Sequence, residues 1–229
     1  MGKILQGVSI KMTLLEISKK NNSNKIVHEF EKFYDQKFGP IRNKVTNILE
    51  IGIWRGGSLK MWRDYFPNAT IYGMDINLAG SEKNLLNEER IVPLLCDATN
   101  LDELTTTLKE KTPGTFDIII DDASHRMDHQ QITMMYLFSK VCSGGFYCIE
   151  DVHTSLTTTP KHMEEWMVEK DGSNTTYKML VEYQRSGKIR SKYMTHDAEK
   201  ILEEGIKSCE LYIGKRGKIG SITSAIRKK

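Results

Sequence analysis

Short apolar runs alternate with stretches of helical spacing from residue 45 onward, and this alternation constrains the fold more than any other feature. The predicted strands are 45–51, 70–74, 91–95, 116–120 and 146–149. The predicted helices that follow are 59–65, 101–111, 129–141 and 196–208, and a last strand is predicted over 210–213. Short buried strands that alternate with amphipathic helices are typical of a parallel sheet with helices on both faces. The predicted fold class is therefore α/β.

Helix-ending signals divide the rest of the chain. Residues 12–20 and 25–38 have the apolar spacing of two helices, and Gly39-Pro40 ends the second one. In the same way, the run from Ser143 to Gly145 is predicted to close the helix over 129–141. The aromatic residues at helical spacing within 25–38 are predicted to pack in the core rather than to bind a ligand.

The charge of the chain is unevenly distributed. It has 33 Lys+Arg against 30 Asp+Glu, a formal net charge of +3. Six of the basic residues lie in the acid-free stretch 215–229, which leaves 27 against 30 acids elsewhere. These six are Lys215, Arg216, Lys218, Arg227, Lys228 and Lys229. The excess positive charge therefore belongs to the C-terminal stretch, read here as a solvated end, and a generally basic nucleic-acid-binding surface is not expected.

The cysteine pattern and the hydropathy of the chain indicate the cellular compartment in which the protein is expected to work. Cys96, Cys142, Cys148 and Cys209 are scattered and form no C-x-x-C pair, which favours a reducing, cytoplasmic setting. The N-terminus lacks the continuous apolar region of a signal peptide, and no run of 18 apolar residues predicts a membrane-spanning helix.

Acidic side chains stand at the carboxyl ends of all five strands of the predicted parallel sheet. They are Glu50, Asp75, Asp97, Asp121, Asp122, Glu150 and Asp151. Ligands bind at the carboxyl ends of the strands in such sheets. We therefore expect a site at this edge that binds hydroxyls, amines or a metal ion.

A glycine-containing loop follows the first strand. Gly52 permits a tight turn and close approach of a ligand, and Ser58 is predicted to cap the next helix. The loop does not match G-x-G-x-x-G, so the dinucleotide fingerprint fails. Asp75 lies 23 residues beyond Gly52 and can accept hydrogen bonds from both hydroxyls of a ribose. An E-x-G loop followed by a ribose-binding acid is the pattern of class I S-adenosylmethionine-dependent methyltransferases; the alternative is a glycine turn with a helix cap.

A second cluster combines acids with histidine. Asp122, Glu150 and Asp151 follow strands that are neighbours in this fold, and three carboxylates suit octahedral Mg²⁺. His125 follows on the same loop as Asp122, and histidine is a common general base for a hydroxyl proton. A zinc site on His125 and His129 is disfavoured, because no third soft ligand stands nearby. His129 is instead expected to position its helix or face the substrate.

On these residues the chain resembles the metal-dependent macrolide-sugar O-methyltransferases of the mycinamicin and tylosin type, over roughly residues 12–155. The resemblance lies in the Leu-Glu-Ile-Gly loop with its Gly-Gly-Ser-Leu continuation, in Asp-Asp-x-Ser-His, and in Gly-Gly-x-Tyr-x-Ile-Glu-Asp. More distantly the chain is similar to the cephalosporin-hydroxylase-like family. The resemblance implies a Rossmann-like, seven-stranded, mostly parallel sheet whose last strand is antiparallel.

The resemblance also implies an activity and a set of site residues. Methyl transfer from S-adenosylmethionine to a sugar hydroxyl would use Mg²⁺, with His125 as the general base. The implied metal ligands are Asp122, Glu150 and Asp151. The implied cofactor-binding residues are Glu50, Gly52, Ser58, Asp75, Asp97 and Asp121.

The predicted domain organisation is a methyltransferase domain over 45–229, with the helices of residues 1–44 as a cap in the same domain. Residues 152–195 are predicted to be an insertion that builds part of the acceptor pocket, with Trp166, Tyr177, Tyr183 and Arg185 as candidates for sugar contacts. A sugar-containing acceptor is the expected partner. Part of the acceptor site could also come from a second copy of the chain, in a homo-oligomer.

Three alternatives remain at this point. One is a catechol-type or other small-molecule O-methyltransferase, which also uses Mg²⁺ with acids at strand ends. An RNA ribose methyltransferase is less favoured, because the Lys-Asp-Lys-Glu set common in that chemistry has no counterpart here. A module that binds the cofactor without catalysis is disfavoured by the intact set of Asp122, His125, Glu150 and Asp151.

Overall fold

A computed structural model describes residues 12–79, 85, 87–156, 172–214 and 221–229. The strands within these residues are β1 (Asn47–Ile51), β2 (Thr70–Asp75), β3 (Ile91–Leu95), β4 (Phe116–Asp121), β5 (Val141–Ile149), β6 (Ile206–Ile213) and β7 (Ile222–Lys228). They form one sheet in the order β3-β2-β1-β4-β5-β7-β6. The first five strands pair in parallel, and β7 is antiparallel to both β5 and β6. The predicted Rossmann-like fold with its antiparallel last strand is confirmed.

Helices pack on both faces of this sheet. They are α1 (Leu14–Lys20), α2 (Phe30–Phe38), α3 (Gly57–Tyr65), α4 (Leu101–Lys111), α5 (Met127–Leu137), α6 (Thr176–Ser186) and α7 (His196–Gly205). Alternate residues of β1 explain the two layers: Ile48 belongs to an apolar cluster with α1, α2 and α3, whereas Leu49 belongs to a cluster with α4, α5 and α6. Such alternation follows from the period-2 geometry of a strand. Among the described residues, no helix has both the length and the apolar character needed to cross a bilayer.

The N-terminal helices differ from the prediction at one place. The predicted continuous helix 25–38 is a short 3₁₀ segment, Asn24–His28, followed by α2. Glu29 joins the two in the left-handed conformation, with a φ of 56°. This break separates the backbone of the 3₁₀ segment from α2, whose aromatic side chains Phe30 and Phe38 pack in the core as predicted.

The helix before β5 ends earlier than predicted. α5 stops at Leu137, and the run from Ser143 to Gly145 lies within β5 instead of closing a helix. The reason is a close approach between neighbouring strands: a Cβ atom at Gly145 would lie 2.4 Å from the carbonyl oxygen of Asp117 on β4. A glycine at this point marks close backbone contact in a strand rather than a helix end.

The interpretation of the C-terminal stretch as a solvated end is wrong for residues 222–228. These residues are β7, an inner strand between β5 and β6. The Lys228 ammonium donates to the Val141 carbonyl at 2.7 Å, so part of the positive charge binds the sheet. Lys215, Arg216 and Lys218 lie outside the described residues.

The segment 152–195 contains a helix that the sequence prediction missed. α6 packs against the core through Met179 and Leu180, and Tyr183 donates to the Ile206 carbonyl oxygen at 3.3 Å. Trp166, a predicted sugar contact, lies outside the described residues.

Candidate active site

A cavity of about 1000 Å³ opens at the carboxyl ends of the parallel strands. Nearly all of the predicted site residues line it: Gly52, Ser58, Asp75, Asp97, Asp121, Asp122, His125, Glu150 and Asp151. Glu50 is fully buried at the end of β1. The register of the sheet brings these residues together, because β1 pairs with both β2 and β4, and β4 pairs with β5. Tyr177, Tyr183 and Arg185 are not among the residues described on this wall.

The loop after β1 touches the loop after β4. Gly52 has a φ of +94°, and a Cβ atom there would lie only 2.2 Å from the carbonyl oxygen of Asp122. Only glycine fits this contact. Ser58 does not cap α3 as predicted, because Gly56 takes the N-cap position, where no side-chain hydrogen bond is formed. The Ser58 side chain is buried on the cavity wall.

Asp75, at the end of β2, holds the same loop from its other side. Its Oδ2 accepts the backbone N–H of Ile53 at 2.8 Å, and its Oδ1 accepts that of Asn77 at 3.0 Å. The carboxylate is thereby fixed at the cavity wall, and carboxylate oxygens have lone pairs for further hydrogen bonds. This position suits the predicted role as an acceptor for ribose hydroxyls.

Asp97 and Asp121 have different environments. The Oδ1 of Asp97 accepts two hydrogen bonds from Thr99, at 2.8 and 2.7 Å, and these bonds lower the pKa of Asp97. Burial raises the pKa of Asp121 to about 6, although hydrogen bonds from Thr133 and the Ala123 backbone oppose this effect. Both acids line the cavity, as expected of cofactor-binding residues.

The predicted metal ligands fall into two overlapping groups. Ligand atoms of Asp122, His125 and Asp151 lie within 4.8 Å of one another, and so do those of Glu50, Asp122 and Glu150. Asp122 is common to both groups, so the predicted trio is divided between them. Neither group contains a cysteine or a second histidine, which disfavours zinc among the described residues.

Asp151 is the best evidence that a cation fits here. It has a left-handed φ of 52°, and its buried Oδ1 makes no hydrogen bond within the described part of the chain. The imidazole nitrogens nearest to this carboxylate belong to His125, His28 and His153, at 3.9, 3.9 and 3.6 Å. A buried carboxylate oxygen without a donor is costly unless a ligand satisfies it. Asp151 shares the cavity wall with Asp122 and Glu150, and these three carboxylates supply the oxygen ligands that Mg²⁺ prefers.

His125 is placed for contact with a ligand in the cavity. Its side chain is 23% exposed, and its backbone has a φ of 58°. The carbonyl oxygen of His125 accepts the Thr154 hydroxyl at 2.8 Å, which ties this loop to the segment after β5. His129 also lines the cavity, and its Nδ1 lies 2.9 Å from the Ser124 hydroxyl.

Three residues of the site were not selected from the sequence. Lys25 is buried between carboxylates of the site, and His28 reaches the cavity wall from the same 3₁₀ segment. The Nδ1 of His153, which lies 3.6 Å from the Asp151 carboxylate, accepts the Ile222 backbone N–H at 3.2 Å. Lys25 and His28 come from a segment far from the strand ends in sequence, and no spacing signal connects them to the site.

The strand order, the antiparallel β7 and the cavity at the strand ends define the class: the chain has the Rossmann-like fold of class I methyltransferases. The chain belongs to the FtsJ-like methyltransferase family, whose model matches residues 32–156.

Two curated relatives share part of this sequence. The chain is 40% identical over 135 residues to the 8-demethyl-8-(2-methoxy-alpha-L-rhamnosyl)-tetracenomycin-C 3'-O-methyltransferase of Streptomyces olivaceus. It is 38% identical over 136 residues to the mycinamicin VI 2''-O-methyltransferase of Micromonospora griseorubida. Each match covers 56% of this chain and 33% of the relative, so the matched region spans about a third of either relative's length.

A solved structure covers more of the chain. The MycE methyltransferase of the mycinamycin biosynthetic pathway, in complex with Mg and SAH, superposes with a TM-score of 0.73 and 27% sequence identity. The match covers 96% of this chain and 55% of that chain. A putative caffeoyl-CoA O-methyltransferase from Staphylococcus aureus, at 14% identity and a TM-score of 0.55, shares the fold alone.

Proposed function

We propose that the chain is an S-adenosylmethionine- and Mg²⁺-dependent O-methyltransferase that acts on a sugar hydroxyl. One observation carries the proposal: the glycine loop with Asp75 and the acid cluster with His125 line the same cavity. The similarity to two sugar O-methyltransferases and to a structure solved with Mg and SAH supports it.

The proposed cofactor contacts follow from the cavity wall. Asp75 would accept hydrogen bonds from the ribose, and Gly52 would allow the cofactor to approach the backbone. Asp97 and Asp121 line the same cavity and would bind polar groups of the cofactor other than the ribose hydroxyls. Glu50, which is fully buried, would support the loop from behind, and Ser58 would contact the cofactor from the cavity wall. S-adenosylmethionine would supply the methyl group.

The proposed metal ligands are Asp122, Glu150 and Asp151. Mg²⁺ held there would supply Lewis-acid polarisation of the acceptor hydroxyl. His125 would accept the hydroxyl proton at its imidazole, whose Nε2 lies 3.9 Å from Oδ2 of Asp151. Positioning by these fixed side chains would align the hydroxyl with the methyl group.

The proposed domain assignment treats residues 1–44 and 45–229 as one unit. Leu14 and Phe30 support this, since they share an apolar cluster with Leu59 and Ile71 of α3 and β2. Residues 152–195 are proposed to form part of the acceptor pocket. The hydrogen bond from the Thr154 hydroxyl to the His125 carbonyl oxygen supports this, because it places the start of the segment beside the proposed base. The four free cysteines suit the reducing environment of a cytoplasmic enzyme.

A labelled-methyl assay tests the function. The chain is incubated with methyl-labelled S-adenosylmethionine, Mg²⁺ and a panel of rhamnosides and other deoxysugar glycosides, with catechols in parallel. The proposal expects label in a glycoside. Label only in a catechol would favour the small-molecule alternative, and cofactor binding by calorimetry without transfer to any acceptor would favour a binding module.

A further inference from the structure

Lys25 is a fully buried lysine at the base of the candidate active site. Its side chain is 1% exposed, and its Nζ lies 2.9 Å from Oε1 of Glu50, 3.1 Å from Oδ2 of Asp122 and 2.7 Å from Oε1 of Glu150. An ammonium group has three N–H donors, and here it has three carboxylates within ion-pair distance. The lysine comes from the 3₁₀ segment before α2, while its partners lie at the carboxyl ends of β1, β4 and β5.

These three carboxylates stabilise the charged form of Lys25. Burial by itself lowers the pKa of Lys25, but the charges of Asp122, Glu150 and Glu50 and the hydrogen bond to Glu150 outweigh burial and raise that pKa well above its ordinary value. Burial also raises the pKa values of Glu50 and Glu150, which the Lys25 charge opposes. Removing one partner from a buried ion pair leaves an uncompensated charge and is strongly destabilising.

The ammonium occupies a place that a metal ion could otherwise take. Glu50, Asp122 and Glu150 bring their oxygens within 4.8 Å of one another, which is one of the two groups with metal-binding geometry. The second group, Asp122 with His125 and Asp151, lies on the cavity side. We call these the inner and the outer acid group.

Lys25 also contacts only one of the two carboxylate oxygens of Asp122 and of Glu150. It contacts Oδ2 of Asp122 and Oε1 of Glu150, and the same Glu150 oxygen accepts the Tyr34 hydroxyl at 2.9 Å. These contacts leave Oδ1 of Asp122 and Oε2 of Glu150 for a ligand in the cavity.

We propose that Lys25 is a positioning residue that keeps divalent cations out of the inner acid group and directs the metal to the cavity side, where Asp122 and Glu150 present their other oxygens beside Asp151. This inference rests on the proposed metal dependence. The site is then a two-cation centre in which one cation is an ammonium group of the chain itself. The charge of Lys25 holds Asp122 and Glu150 in place without occupying a position where a substrate oxygen binds.

Counting bound Mn²⁺ by electron paramagnetic resonance tests this directly. Wild type should bind one Mn²⁺ per chain, and Lys25→Met, which keeps the length of the side chain without its charge, should bind two. A Lys25→Met, Glu50→Gln double variant should return to one, because the inner group then has only two acids. Lys20→Met is the matched control, since Lys20 pairs with Asp64 at the surface, and it should bind one ion like wild type.

The outcomes separate the two proposals. If wild type binds no Mn²⁺, the metal dependence in the proposed function is wrong, and the role of Lys25 with it. If wild type and Lys25→Met both bind one ion, only the role of Lys25 is overturned. A purely structural lysine would lower the melting temperature without changing the count. If Lys25→Met is unfolded in metal-free buffer, circular dichroism follows its refolding. The proposal expects Mn²⁺ to refold it with two ions bound, and no refolding in saturating Mn²⁺ overturns it.

Discussion

Nε2 of His125 lies 3.9 Å from Oδ2 of Asp151, although the two residues follow different strands of the sheet. Both have left-handed backbones, with φ values of 58° and 52°. Non-glycine residues in this conformation cost free energy and are often found at functional sites. The sheet therefore holds a proton acceptor beside a carboxylate at the place where the proposed acceptor hydroxyl binds.

Replacing His125 should remove the general base and leave the fold intact. His125→Asn is the preferred change, because asparagine tolerates the left-handed backbone better than alanine does. We expect kcat to fall by about 100- to 10,000-fold, the usual contribution of a general base. The affinity for S-adenosylmethionine, measured by calorimetry, should stay within about twofold of wild type.

The matched control for this change is His196→Asn, at the exposed start of α7. That variant should turn over like wild type. Unchanged turnover in His125→Asn would remove the assignment of His125 as the base, and loss of cofactor binding would show that the substitution disturbs the loop instead.

Asp75 should act on cofactor binding rather than on the chemical step. In Asp75→Asn an NH2 group, which cannot accept a hydrogen bond, replaces one of the two oxygens that accept the loop N–H groups and would accept the ribose hydroxyls. Hydrogen bonds to charged groups contribute about 1.5–3 kcal/mol, so the dissociation constant for S-adenosylmethionine should rise by about 10- to 100-fold. Calorimetry measures this, with kcat at saturating cofactor as the second readout.

Asp117→Asn is the control for Asp75. Its carboxylate also accepts two backbone N–H groups, from Thr46 and Asn47, but at the opposite end of the sheet. It should lower the stability and leave cofactor affinity unchanged. Equal affinities in the two variants would argue that Asp75 only holds the loop.

Gly52→Ala should destabilise the chain, because the contact between the loops after β1 and β4 leaves no space for a side chain. The new Cβ would lie 2.2 Å from the Asp122 carbonyl oxygen, on a residue with a φ of +94°. A left-handed alanine costs about 1–2 kcal/mol and overpacking about 1–3 kcal/mol, so the loss of unfolding free energy should be about 2–5 kcal/mol. Urea unfolding measures it.

Gly187→Ala provides the comparison, because Gly187 has a φ of +70° with no atom within 4 Å of the added Cβ. This variant should lose only the backbone contribution, about 1–2 kcal/mol. If both variants lose the same free energy, the contact between the loops after β1 and β4 is not as tight as the structure has it.

Asp64 gives a pH-dependent contribution to stability. Burial raises its pKa, but bonds to Lys20, Asn21 and Arg63 outweigh this and bring the pKa below the ordinary 3.8. Because the folded pKa is lowered, the contribution is present above about pH 4 and is lost as the pH falls through the folded pKa. The difference in unfolding free energy between wild type and Asp64→Asn should therefore shrink between about pH 5 and pH 3. A constant difference over this range would contradict the ion-pair assignment.

The strand-end acids could be predicted because parallel strands direct their carboxyl ends to one edge of a sheet. Asp75, Asp122 and Glu150 reached the same cavity for this reason. Strand β7 was missed because its centre is polar: the Thr223 hydroxyl donates to the Ile149 carbonyl, and the Ser224 hydroxyl accepts the Ile149 N–H. Bonds to a neighbouring strand satisfy these hydroxyls, and a single sequence does not display them.

Lys25 illustrates a different limit. A lysine in a stretch with helical spacing is ordinarily a solvent-facing residue. Its burial depends on Glu50 and Glu150, which lie 25 and 125 residues away in sequence. Only the three-dimensional arrangement of the loops shows that three carboxylates surround one ammonium group.

The most direct test of the central claim is the dependence of methyl transfer on a divalent cation. Transfer of labelled methyl from S-adenosylmethionine to a rhamnoside acceptor is measured in Mg²⁺, in EDTA, and after Mg²⁺ is restored in excess over EDTA. We predict full loss of transfer in EDTA and its recovery with Mg²⁺. Undiminished transfer in EDTA would contradict it.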